Sequence, residues 1–175
     1  GIILIMFIKK ESLKNVGLIA MGFGILFIGL ISMTDAVEPL SNSPAFANIL
    51  GYFSDMPMVG IITGLVLTVI VQRSSAMVGI LQALSSTGAM TFALVYPIIM
   101  GINLGTCVTT ARVCSIGSSK DAKRTGVVHI VFNTVGTILF MIAMTIIRAA
   151  GGFAGLWEST VNSGGIANFQ TIFNL

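Results

Sequence analysis

The sequence predicts an all-α integral membrane protein, built from transmembrane helices and a re-entrant broken-helix hairpin. Three observations predict it. The chain is 55% hydrophobic and only 9% charged, against ~25% charged residues in a soluble domain, so its 175 residues cannot clothe a core in polar side chains. Uncharged runs at 16–33 and 125–147 are long enough to cross a bilayer, which takes ~20 apolar residues. A third apolar region, 58–84, is interrupted by Gln72-Arg73-Ser74-Ser75. Short apolar segments with polar residues at the interruption point to a transporter binding site.

The elements follow in order. Residues 1–8 read as the tail of a membrane helix, and 1–14 as that tail plus a cytoplasmic loop. Val16 to Met33 is the first full crossing, and Thr34 to Ser43 a polar connection. Ser43-Pro44 reads as an N-cap followed by proline at the first helical position. Phe46, Ile49, Leu50 and Phe53 then recur at helical spacing, giving a short helix on the outer surface. Met58 to Val71 reaches ~21 Å as a helix, deep into a bilayer but not through it, so 58–84 is expected to be a re-entrant hairpin with its tip at 72–75. Residues 89–116 are expected to be a second broken helix, interrupted at Gly101–Thr106 and loosened by Pro97, which lacks a backbone donor. Residues 125–147 form a long crossing, and 149–175 an outer loop and the start of a further helix. The core spans 15–148.

Charge sets orientation. Lys9, Lys10 and Lys14 precede one apolar run and Lys120, Lys123 and Arg124 another, while Asp35, Glu38, Asp55 and Glu158 lie on the other connections. By the positive-inside rule, 9–14 and 117–125 are cytoplasmic and 34–57 and 149–165 external. The expected location is a plasma (inner) membrane, multi-pass and bacterial. The net charge of +3 says little about partners, and no nucleic acid is expected among them. Cys107 and Cys114, if on one helix, lie ~10 Å apart, too far for a disulfide. The chain opens in mid-hydrophobic sequence without an initiator Met and stops in mid-pattern at Leu175, which reads as a fragment.

A broken helix leaves backbone N–H and C=O groups unpaired, and in hydrocarbon each costs several kcal/mol. Such breaks persist facing a protein interior or a wet cavity, where freed N–H groups attract anions and freed oxygens coordinate small cations. Gln72, Ser74, Ser75, Asn103, Thr106 and Thr109 are neutral oxygen ligands with a few donors. They suit a desolvated sodium ion beside an oxyanion. Zinc or iron would want Cys, His and carboxylate clusters. Scattered Ser32 and Thr145 read as interhelical hydrogen-bonding residues. The GxxxG spacings Gly60–Gly64 and Gly101–Gly105 are adequately explained by close helix packing. His129 reads as a hydrogen-bonded packing residue, and Trp157 as an interfacial anchor.

Two ordered motifs carry a family resemblance. Residues 60–84, GIITGLVLTVIVQRSSAMVGILQAL, resemble the Gln-Ser-Ser-Ser signature of the sodium-dependent phosphate symporters. Downstream, GINLGTCVTTARVCSIGSSKDAKRTGVVHIVFNTVGTILF resembles that family's Gly-x-Asn-Ile-Gly-Thr-Thr-Val-Thr block with its basic loop and His-x-x-Phe-Asn helix. The resemblance covers about 15–148, with an echo at 166–175. It implies one half of an inverted-repeat transporter, similar to the second repeat, in which sodium moving down its gradient carries inorganic phosphate inward. One charge crossing ~100 mV yields about 2.3 kcal/mol. Carried over, Gln72, Arg73, Ser74, Ser75 and Asn103 would contact phosphate, and Ser75, Asn103, Thr106 and Thr109 sodium. Sodium is the coupling ion, and no other cofactor or metal is implied. The missing first repeat, on the same or a separate chain, or a second copy, would complete the site; the Lys/Arg bias argues against inverted pairing of identical copies.

Three positions depart from the family pattern. Arg73 stands where the family has Ser. Gln170 stands where His is expected. Arg112 lies in a stretch that is usually apolar and reads as snorkelling to the cytoplasmic interface. An arginine at membrane depth marks function by default. Arg73 either grips phosphate through paired hydrogen bonds, fills a sodium position and alters coupling, or snorkels. Other readings are a carrier of another oxyanion and a non-transporting membrane protein that needs a partner chain. A membrane enzyme with Ser74 or Ser75 as nucleophile needs a base; only His129 is available, and no acid lies in the apolar segments to orient it.

Overall fold

A computed structural model describes residues 1–8, 10–41, 56–117 and 119–175. The surface helix expected from 43–53 lies outside the described residues. The elements are α1 (Ile2–Phe7), α2 (Glu11–Ser41), α3 (Pro57–Val71), α4 (Ser74–Ser85), α5 (Phe92–Ser115), α6 (Lys120–Ala149), α7 (Ala154–Trp157) and α8 (Ser163–Asn174). Among the described residues the only extended pairing is a single bridge between Thr91 and Thr160. The protein is an all-α membrane protein: α2, α5 and α6 are long and apolar enough to cross a bilayer.

Burial separates those three. In its most apolar window α5 is 72% buried, while α2 and α6 are 6% and 17% buried. α5 is therefore the central helix, and the other two turn Phe23, Leu26, Ile28, Val128, Leu139 and their neighbours outward, as lipid requires. Around α5 gather α3, α4, α6, α7 and α8. Phe92 and Tyr96 at its start meet Trp157, and Phe92 meets Phe169 edge-on at 5.5 Å. Phe140 of α6 closes the group against Phe169 and Phe173 of α8. The loops before α5 and after α7 are stitched together: Phe92 N donates to Ser159 O (3.0 Å) and Val161 N to Met90 O (2.8 Å).

The expected break at 101–106 is absent: Phe92–Ser115 is one helix. Its glycines serve packing. A Cβ on Gly101 would strike the Ile61 carbonyl of α3, and one on Gly105 would lie 2.6 Å from Thr68 Cβ. From the other side, a Cβ on Gly64 would strike the Ile98 carbonyl, and one on Gly60 would lie 3.0 Å from Pro97 Cβ. Both GxxxG pairs thus let two backbones approach closely. That contact outweighs the poor helix propensity of glycine and the bond lost at Pro97. The pairs ascend together along both helices, so α3 and α5 run in the same direction.

Two other boundaries and the setting of Trp157 differ from the sequence reading. α2 continues through 34–41, where a polar connection was expected; Thr34 Oγ1 donates to Leu30 O (3.0 Å), so the helix backbone absorbs the hydroxyl. Lys120, Lys123 and Arg124 lie within the first turns of α6 rather than before it. Ser119 caps this helix by accepting from Ala122 N (3.2 Å), and Arg124 pairs with Asp121 at 3.3 Å. Trp157 is buried in the aromatic group rather than set out as an interfacial anchor. Its Nε1 donates to Gly152 O (2.9 Å), and the Arg148 guanidinium lies over its ring.

Gly101→Ala should destabilise the protein by about 1–3 kcal/mol, seen as a lowered melting temperature in detergent. Gly24→Ala on α2, where an added Cβ meets nothing within 4 Å, should be neutral or stabilising by about 1 kcal/mol. Equal effects at the two positions would contradict the close crossing.

Candidate functional site

The break between α3 and α4 lies at Gln72–Arg73. Pro57 opens α3, where its missing N–H costs nothing. Gln72 ends it in the left-handed conformation (φ 59°, ψ 18°), with its N–H donating to Thr68 O at 2.7 Å. Glycine usually takes this place, and a side chain there costs about 1 kcal/mol or more. Arg73 is extended, and α4 begins at Ser74 without a side-chain cap. Met77 N donates to Arg73 O (3.2 Å). The first amides of α4, at Ser74, Ser75 and Ala76, are thus the open donors of an uncapped helix start.

The glycine crossing fixes what stands beside this break. Gly60 faces Pro97 and Thr68 faces Gly105, an offset of 37 residues in both cases. The same offset carries Gln72 to Thr109. Gln72, Thr109, Arg112, Val113 and Ile116 indeed line one cleft of about 380 Å³. Thr109 and Arg112 are three residues apart and so share a face of α5.

The other expected site residues are not among those lining this cleft. Asn103 is six residues before Thr109, ~9 Å along the helix. It is buried and pairs with Gln170 of α8: Gln170 Nε2 donates to Asn103 Oδ1 (2.9 Å) and Asn103 Nδ2 to Gln170 Oε1 (3.4 Å). The position where His was expected therefore holds the amide that matches Asn103. Thr106 Oγ1 donates to Asn103 O, and Thr109 Oγ1 to Thr106 O (2.8 Å). Both hydroxyl protons are committed, leaving only acceptor lone pairs, which suit a cation and not an oxyanion. Ser74 is half-buried and Ser75 exposed in the first turn of α4. Arg73 is exposed and is not among the residues lining the cleft. His129 differs from the hydrogen-bonded residue expected: among the described residues its buried Nδ1 has no partner, and the same holds for Thr68 Oγ1 and Thr137 Oγ1.

Electrostatically the region is one-sided. Residues 56–117 contain Arg73 and Arg112 and no other charged side chain. The sequence reading assigned Arg112 to snorkelling and left it out of the site; its i+3 spacing from Thr109 was the available signal.

A Na+/Pi-cotransporter family model matches residues 31–157. The chain belongs to this family. It is similar to a Bacillus subtilis (strain 168) protein described as "Uncharacterized protein YqeW", 30% identical over 166 residues, covering 95% of this chain and 52% of that protein. It is also similar to rat "Sodium-dependent phosphate transport protein 2A", 29% identical over 131 residues, or 69% of this chain and 20% of that one. Human "Sodium-dependent phosphate transport protein 2B" is 31% identical over 90 residues, 49% of this chain and 13% of that one. The chain spans about half the length of the Bacillus relative and a fifth or less of the mammalian ones. No solved structure matches it.

Gln170→Leu should strand the buried Asn103 amide and cost about 1 kcal/mol or more. Asn103→Leu combined with Gln170→Leu should cost less than the sum of the single changes in a double-mutant cycle of thermal unfolding. Strict additivity would contradict the pair.

Proposed function

We propose that this chain supplies one half of the substrate site of a sodium-coupled phosphate symporter in a plasma membrane. It acts as the second inverted repeat, beside a first repeat on the same or another chain. The observation that carries this reading is the break at Gln72–Arg73, which opens beside a cleft shared with Thr109 and Arg112, with no acid among its described lining residues. Open amides at the start of α4 offer donors to an oxyanion. The committed hydroxyls of Thr106 and Thr109 offer acceptors to sodium, with Ser74 and Ser75 at the same break. The names of the mammalian relatives support phosphate as the anion and sodium as the driver.

In this reading Asn103 acts through its pairing with Gln170, holding α5 against α8, rather than as a direct phosphate ligand. Sodium entry down its gradient drives phosphate uphill, and ~100 mV of membrane potential adds about 2.3 kcal/mol per net charge moved. No step calls for a nucleophile.

The test is radiolabelled phosphate uptake into proteoliposomes holding the chain, alone and with a first-repeat partner, with and without an inward sodium gradient. Sodium-stimulated uptake is the expected result; folded, inserted protein that takes up no phosphate in either arrangement would reject the proposal. Arg73→Ser should raise sodium-dependent uptake, because a fixed guanidinium beside Ser74 and Ser75 repels the coupling cation. Unchanged uptake would show that Arg73 does not alter coupling.

A further inference from the structure

We infer that Arg112 supplies the positive charge that holds a phosphate oxyanion in the cleft beside Gln72, a position that Arg73 does not occupy. This rests on the reading of the cleft as half of a phosphate site, and adds to it the residue that grips the anion.

Donor accounting leads there. Of the five described residues lining the cleft, Val113 and Ile116 have no polar side-chain atom, and Thr109 has given its proton to Thr106 O. The backbone N–H of Gln72 is held by Thr68 O. The side-chain donors left among the lining residues are the Gln72 carboxamide and the Arg112 guanidinium. An amide alone offers two neutral donors. A guanidinium offers a charge and a planar fork that matches two phosphate oxygens at once.

The charge is also uncompensated. Asp and Glu are absent from 56–117, and among the described residues the one ion pair joins Arg124 to Asp121. Arg112 is exposed, and its guanidinium makes no hydrogen bond or ion pair with the described residues. The site can carry that charge because of where it sits. α5 has 24 residues, ~36 Å of helix, against a hydrocarbon core of ~30 Å. Arg112 lies in its last turn, at the edge of the hydrocarbon where water and dissolved anions reach. The cleft of about 380 Å³ has room for a tetrahedral oxyanion and several waters, each needing ~30 Å³. Thr109, acceptor-only, would face a sodium ion on the anion's flank.

The same chemistry would fit the phosphate of an anionic lipid headgroup, and the experiment separates the two. The chain, with its first-repeat partner, is reconstituted into phosphatidylcholine vesicles with and without phosphatidylglycerol, and inorganic phosphate binding is titrated. Arg112→Leu should weaken binding by roughly tenfold or more. Arg112→Lys, which keeps the charge but loses the fork, should weaken it less. Arg124→Gln should leave it unchanged. Labelling with phenylglyoxal, read by peptide mass spectrometry, reports on the unsubstituted protein: inorganic phosphate should protect Arg112 and leave Arg73 and Arg124 reactive. Phosphate binding by Arg112→Leu equal to that of the unsubstituted chain would overturn the inference while leaving the proposed function standing. So would an Arg112→Leu effect confined to the phosphatidylglycerol response, which would assign the guanidinium to lipid. An unsubstituted chain that binds no phosphate would overturn both.

Discussion

The approach of α3 to α5 at glycine distance sets the positions of nearly everything else. Gly60, Gly64, Gly101 and Gly105 remove the side chains that would hold the two backbones apart, and the carbonyls of Ile61 and Ile98 occupy the space a Cβ would need. Association in lipid lacks the hydrophobic drive available in water, so close van der Waals contact of this kind must supply much of it. Close contact also fixes register. A slip of one residue would push Cβ atoms into those carbonyls. The register in turn decides that α3 ends beside Thr109 and Arg112, and so which side chains share the cleft.

The break then has a definite cause and place. α3 cannot continue as a regular helix past Gln72, whose left-handed backbone reverses the chain and frees the first amides of α4. Those groups need a wet or ion-bearing environment. They lie near the last turns of the long central helix, whose Thr109 and Arg112 share a cleft with Gln72. α4 is anchored at its far end instead: Gln82 Nε2 donates to Ser163 O, and Ser163 Oγ donates to Gln82 O, both at 3.2 Å. One end of α4 is tied to α8, and the other begins two residues after Gln72, which lines the cleft.

Much of this was legible in the sequence. Composition and run length specify an all-α membrane protein, and an apolar run ending in Gln-Arg-Ser-Ser specifies the break to within two residues. The GxxxG spacings read as packing, and they are packing. The misreading of 101–106 has a physical origin. Glycine and proline lower intrinsic helix propensity, but propensity is a weak prior where a neighbouring helix stabilises the segment. Trp157 misled for a related reason. Its position after a long crossing suggests an interface, yet the Gly152 carbonyl satisfies its indole N–H and allows burial. The Asn103–Gln170 pair joins residues 67 apart and had no local signal beyond Gln standing where His was expected.

One break instead of two changes the division of labour in the site. Had α5 been interrupted as well, its freed carbonyls and amides would themselves be ligands. A continuous α5 keeps its backbone paired, so it contributes only through side chains. The hydroxyls of Thr106 and Thr109 are held against carbonyls of their own helix, which fixes them as acceptors. Backbone donors come from α4 alone, and fixed positive charge from Arg73 and Arg112. Open backbone donors therefore sit at the start of α4, while α5 presents hydroxyl acceptors and the Arg112 guanidinium. A relative shift of these two elements would move the open amides away from the hydroxyl acceptors, so in the proposed symporter the contacts of each ion would depend on the placement of the other.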